Sequence, residues 1–151
     1  MYKKRLKYLR EEMELKQVEI SKLLEFKDNV YSQFEREETI IPIKHLNTLC
    51  NYFDCSLDYI FEFTDTKKYK NMKKEINKEI SGKRLKEIRK ELNIKQYELA
   101  NLLNVDNSML SKYELGKYTI ATTYLYQICK KYNISADYLL GKIDNPKYLN
   151  K

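Results

Sequence analysis

The chain has 151 residues, with 29 Lys and Arg against 22 Asp and Glu, so its formal charge is +7. At 42% apolar and 34% charged it is too apolar for disorder and too polar for a bilayer, and no apolar run approaches the ~18 residues of a membrane-spanning helix. Three glycines and two prolines are too few for a βαβ enzyme with phosphate loops, a lone histidine removes His-pair metal sites, and three cysteines form no paired disulfide framework.

A shift of 79 residues aligns 4–62 with 83–141 without a gap, so the chain holds two copies of one unit. The first copy takes 1–65 and places Arg10 in a first helix and Gln17 at the opening of a second. A third helix ends near Glu35, Pro42 starts a fourth, and Ser56 matches the cap of a fifth. Residues 66–81 follow as a lysine-rich connector without Gly or Pro. Tyr69, Met72, Ile76 and Ile80 fall on one helical face there, which predicts an amphipathic helix. The second copy takes 82–151. Leu85, Ile88, Arg89 and Leu92 give the first helix, and Leu99, Leu102 and Leu103 the second. Asp106 is an N-cap for the third, which buries Leu110 and Tyr113 and stops at Gly116. Leu125, Ile128 and Cys129 mark the fourth helix, and Ser135 caps a fifth carrying Tyr138, Leu139 and Leu140. Helices two and three lie about three residues apart, the helix-turn-helix spacing.

Residues 83–89 (Lys-Arg-Leu-Lys-Glu-Ile-Arg), 95–100 (Lys-Gln-Tyr-Glu-Leu-Ala), 109–116 (Met-Leu-Ser-Lys-Tyr-Glu-Leu-Gly) and 134–141 (Ile-Ser-Ala-Asp-Tyr-Leu-Leu-Gly) together resemble the phage-repressor-like Cro/repressor (XRE) helix-turn-helix family. The resemblance implies an all-α fold of two tandem five-helix lambda-repressor-like domains joined by a helical connector. Ala121 departs from the proline often found there. The first copy is more worn: Ser21 replaces the small alanine at the crossing of helices two and three. Glu37 stands where Gly116 stands, and Lys27 replaces the Asp106 cap, with Asp28 as a substitute one position on.

In this family the third helix enters the major groove. Carried over, the base readers of the second repeat are Asn107, Ser108, Met109 and Lys112, and the phosphate contacts are Lys95, Gln96 and Lys117. Asn suits adenine, Lys the guanine acceptors and Met a thymine methyl. The equivalent second DNA site in the first repeat is Gln17, Asp28, Asn29 and Gln33. The resemblance also implies structural ion pairs Arg10–Glu35 and Arg89–Glu114. Cys50, Cys55 and Cys129 read as core, His45 as an edge residue of helix four, and Tyr59, Tyr113 and Tyr138 as packing.

The charge is uneven, at −3 over 1–65, +4 over 66–81 and +6 over 82–151. Phosphate neutralisation supplies much of DNA affinity, so the second repeat is the expected main reader. The expected function is a sequence-specific double-stranded-DNA-binding transcriptional regulator of a bacterium or phage. The alternative is a protein-interaction module, such as an antitoxin or anti-repressor, using the acidic first repeat. No enzyme activity, metal or cofactor is expected, and the expected location is the cytoplasm. Dimerisation through 135–149 (Tyr138, Leu139, Leu140, Ile143), or an intramolecular pseudo-dimer, is the expected assembly.

Overall fold

The computed structural model describes residues 1–149 and divides at Tyr69/Lys70 into two compact units. Positions 150 and 151, the end of the expected second repeat, lie outside the described residues. The first unit contains α1 (Lys3–Glu12), α2 (Gln17–Leu23), α3 (Val30–Glu35), α4 (Ile43–Tyr52) and α5 (Leu57–Ile60). The second contains α6 (Lys78–Glu91), α7 (Gln96–Leu103), α8 (Asn107–Glu114), α9 (Thr122–Tyr132) and α10 (Ala136–Leu139). Among the described residues there is no strand, only an isolated bridge between Ile134 and Tyr148. Each unit buries its helical stripes on one another. Leu6, Leu9, Ile20, Leu46 and Leu49 are buried in the first, and Leu85, Ile88, Leu99, Leu125 and Ile128 in the second. All three cysteines are buried.

The same backbone device closes all five helices of each unit. Glu14, Glu25, Glu37, Asp54 and Glu62 take positive φ in the first unit, and Asn93, Asn104, Gly116, Asn133 and Gly141 do so at the matching positions of the second. Asn and Gly enter the left-handed region cheaply, while an acidic side chain there is strained and also opposes the negative end of the helix dipole. Glu37 thus adopts the left-handed turn that glycine makes in the second unit. Its carboxylate accepts the Lys3 backbone N–H at 3.2 Å.

A second shared device is an arginine staple. The Arg5 guanidinium lies 4.3 Å from the Tyr59 ring centre, donates to the carbonyls of Tyr59 and Thr64, and meets Asp65 at 2.7 Å. Arg84 repeats this over Tyr138 at 4.0 Å, with the carbonyls of Tyr138 and Ile143 and with Asp144 at 3.0 Å. Each staple ties the first helix of its unit to the segment after the last.

One expectation is corrected here. The connector is not helical over 66–77, and α6 begins only at Lys78. The backbone amides that a helix would use are engaged elsewhere. Lys73 N–H donates to the Lys142 carbonyl and Asn77 N–H to the Leu140 carbonyl, while the Asn77 side chain caps α6 through Ile80 N–H. Ahead of the division, the Lys67 carbonyl accepts Ser56 N–H and the Tyr69 hydroxyl donates to Asp58. The apolar residues expected at a dimer face, Leu139, Leu140 and Ile143, are buried inside their own unit, and α10 is a single turn. The tail folds back instead, with Ser135 N–H donating to the Lys147 carbonyl and Leu149 N–H to that of Asn133.

Candidate nucleic-acid interface

The α7–α8 pair has the geometry its sequence implies. Asn104 ends α7 in the left-handed region, and α8 starts three residues later, after Asp106 in extended N-cap geometry. The Asp106 side chain makes no capping bond, so only its backbone conformation serves. Ala100 is buried where the two helices cross, and Leu110 and Tyr113 pack inward. On the other side α8 is pressed against α6 at Gly82, where an added Cβ would lie 2.5 Å from the Tyr113 carbonyl oxygen. One face of α8 is thereby fixed, and the opposite face carries Asn107 and Ser108 exposed, with Met109 and Lys112 half-buried.

A polar chain connects that outer face to the interior. Arg89 grips Glu114 with two bonds of 2.7 and 3.0 Å, and both side chains are nearly buried. The Gln96 amide donates to Glu114 at 3.3 Å, and the Asn107 amide donates to the Gln96 oxygen at 3.3 Å. Gln96, expected at a phosphate, is therefore also the bridge between the ion pair and Asn107, the first of the expected base readers. Lys95 and Lys117 are exposed on either side. Two tyrosines that sequence reasoning left out stand there too, both about half exposed: Tyr97 with the Lys95 ammonium 5.9 Å from its ring centre, and Tyr118 with that of Lys112 at 5.8 Å. Their signal was only a Lys nearby in sequence.

The first unit keeps the interior half of this arrangement and alters the outer half. Arg10 holds Glu35 at 2.8 and 3.0 Å, and Gln17 donates to Glu35 at 2.6 Å. Burial raises the Glu35 pKa, but the bonds from Arg10 and Gln17 outweigh it and hold the carboxyl below its ordinary value. Ser21 is buried at the crossing. Its hydroxyl donates to the Asp28 carbonyl and accepts Tyr31 N–H, so the polar replacement is satisfied within the turn. That turn keeps Asp28 and Asn29 out of the helix. Asp28 does not cap α3, which starts at Val30, two residues later than α8 by the repeat register. Asn29 and Asp28 are exposed in the turn and Gln33 is half-buried on α3, so the three do not form the array that Asn107, Ser108 and Lys112 form. His45 packs edge-on against Phe26 at 4.7 Å, and burial lowers its pKa.

Among the described residues no His, Cys, Asp or Glu cluster has the makings of a metal site, and no helix is long and apolar enough to cross a membrane. Comparison with known proteins agrees with the geometry of both units. Residues 82–145 match a family model described as a helix-turn-helix domain, and residues 6–60 match one described as helix-turn-helix. The HTH-type transcriptional regulator ImmR of Bacillus subtilis (strain 168) is 46% identical over 61 residues, covering 40% of this chain and 48% of ImmR. Antitoxin PezA of Streptococcus pneumoniae serotype 4 is 34% identical over 67 residues, covering 43% of this chain and 42% of PezA. The chain thus spans less than half the length of these curated relatives. No solved structure matches it.

Proposed function

The chain is a tandem helix-turn-helix protein of the Cro/repressor-like (XRE) family, and from that premise we propose that it is a transcriptional regulator that reads double-stranded DNA with α8 in the major groove. The observation that carries the reading is the chain from Arg89 through Glu114 and Gln96 to Asn107. It holds a base-reading amide on a rigid support, which lowers the ordering cost of recognition. In the proposed complex Asn107 pairs with an adenine edge, Lys112 reaches guanine acceptors, Met109 meets a thymine methyl and Ser108 bonds either base type. Lys95, Lys117 and Gln96 hold phosphates and set the register.

These roles separate experimentally in the full chain. Lys95→Ala with Lys117→Ala is expected to weaken binding to every duplex about equally and to flatten its salt dependence. Asn107→Ala with Lys112→Ala is expected to erase discrimination between duplexes, worth about 1–3 kcal/mol per lost bidentate contact. Competition binding with a set of duplexes measures both. Discrimination retained by the second variant would remove α8 as the reader.

The likeness to a protein named as an antitoxin favours a second reading, in which the first repeat engages a protein partner. A partner that stays bound to the chain after nuclease treatment supports it, and one lost with the nucleic acid does not.

A further inference from the structure

We infer that the first repeat grips the phosphate backbone of duplex DNA in the cleft between α1 and the start of α2, without reading bases. The inference rests on the reading of the chain as a duplex-DNA binder and gives its first repeat a task that the net charge of that repeat argued against.

The cleft encloses about 530 Å³. Lys3 and Lys7 of α1, Lys16 ahead of α2 and Arg36 past α3 line it, over a floor made by Arg10, Glu35 and Gln17. Lys3 and Lys7 are four residues apart, hence on one helix face about one turn from each other. All three lysines are exposed. Among the described residues the only carboxylate lining the cleft is Glu35, which is paired with the Arg10 charge and hydrogen-bonded by Gln17. Arg36 is partnered by Glu38 at 2.8 Å, which leaves the three lysines as the main cations offered to a ligand. The matching cleft of the second unit is smaller, about 210 Å³, and the residues matching Lys3 and Arg36 are Gly82 and Leu115. The repeat with net negative charge therefore owns the larger and more cationic cleft.

Two further carboxylates stand at its rim, Glu37 on the Lys3 backbone N–H and the N-terminal ammonium and Glu38 on Arg36, while other acidic residues lie away from it. Five of the repeat's acidic residues are the left-handed helix ends Glu14, Glu25, Glu37, Asp54 and Glu62, whose counterparts are all neutral. They are spread over five helix termini, and two are met by lysines, Asp54 by Lys68 and Glu62 by Lys4. The late start of α3 removes the base-reading array but leaves the cleft intact. Gln17 in its floor matches Gln96, the residue beside the expected phosphate path of the second repeat. A cluster of exposed cations with no specific reader beside it suits a repeating phosphate chain, which binds by counterion release and carries no sequence information. Tethered to a reading repeat, even a weak grip of this kind raises the affinity of the whole chain.

The test uses the full chain and a random-sequence duplex, with affinity measured across a salt series. Lys3→Ala/Lys7→Ala/Lys16→Ala is expected to reduce the slope of log affinity against log salt by about two to three, at ~0.9 per phosphate lost. The Lys→Arg triple variant is expected to keep the slope, and both are expected to keep the sequence preference and thermal midpoint of the parent. An unchanged slope in the alanine variant overturns the inference while leaving the DNA-binding reading in place. So does loss of capture of an acidic protein with duplex binding untouched. A parent chain with no duplex binding at all removes both.

Discussion

Glu35 shows how a single carboxylate holds a helix-turn-helix unit together. It is buried at the end of α3 and takes three bonds, two from Arg10 of α1 and one from Gln17 of α2. Its folded pKa is lowered, so its contribution to stability is present above the ordinary carboxylate range and is lost as pH falls through the folded value. Glu35→Gln should cost about 3 kcal/mol at pH 7, the low end for a broken buried pair because Arg10 keeps some contact with water. It should also make unfolding free energy less dependent on pH between neutrality and pH 3. Denaturant titrations at several pH values check this, and equal pH slopes in parent and variant would contradict it. The two Arg–Glu pairs were legible in the sequence through the family resemblance. Arg5 and Arg84 were visible only as an identity between repeats. Their partners are mainly backbone carbonyls and an aromatic face, which residue type does not announce. The resemblance implies a phosphate contact for Gln96, whereas its link to Asn107 depends on how α7 and α8 cross, which residue type does not announce.

At the scale of elements, the repeat made most helix positions legible, since each apolar stripe recurs after 79 residues. The ends were less so. Gly116 was an evident stop, whereas Glu14 and Glu25 look like ordinary surface acids and yet have positive φ. Such a residue costs of order 1–3 kcal/mol in strain, and Asn sits at both matching positions of the second unit. The double variant Glu14→Asn/Glu25→Asn should therefore stabilise the first unit by about 1–2 kcal/mol, through easier left-handed caps and relief of charge at helix C-termini. A higher thermal midpoint verifies this, and a lower one would mean that these carboxylates do more than close helices. Gly82 makes the opposite case. Gly82→Ala forces α6 away from the Tyr113 and Glu114 carbonyls, and should destabilise the second unit by about 1–3 kcal/mol. A variant as stable as the parent in denaturant melts would contradict that packing. Sequence gave no hint of it, because Gly82 falls just before the aligned repeat begins.

At the scale of the whole chain, the connector's spacing predicts a helix that the structure does not form, and the reason is physical. Tyr69, Met72 and Ile76 have helical spacing, but their half-burial comes from irregular backbone docked on one unit or the other. Periodicity alone does not tell a helix from such a segment. The consequence is practical. A fragment of 82–151 cuts α6 and discards its Asn77 cap, while 70–151 keeps both. The longer fragment should be more stable by at least the ~1 kcal/mol of a lost cap, read from denaturant midpoints. Equal midpoints would show that 70–81 adds nothing. The charge map also changes meaning at this scale. The first repeat carries five of its acidic residues at left-handed helix ends and lines its cleft mostly with cations, so net charge by segment does not describe that surface. In the proposed complex α8 reads sequence and α3 does not. Selection from a random duplex library tests it most directly, using the full chain, Asn107→Ala/Ser108→Ala/Lys112→Ala, and Asn29→Ala/Gln33→Ala. One shared motif is expected from the parent and the first-repeat variant, and none from the α8 variant. A motif that survives in the α8 variant, or vanishes in the first-repeat variant, would contradict it.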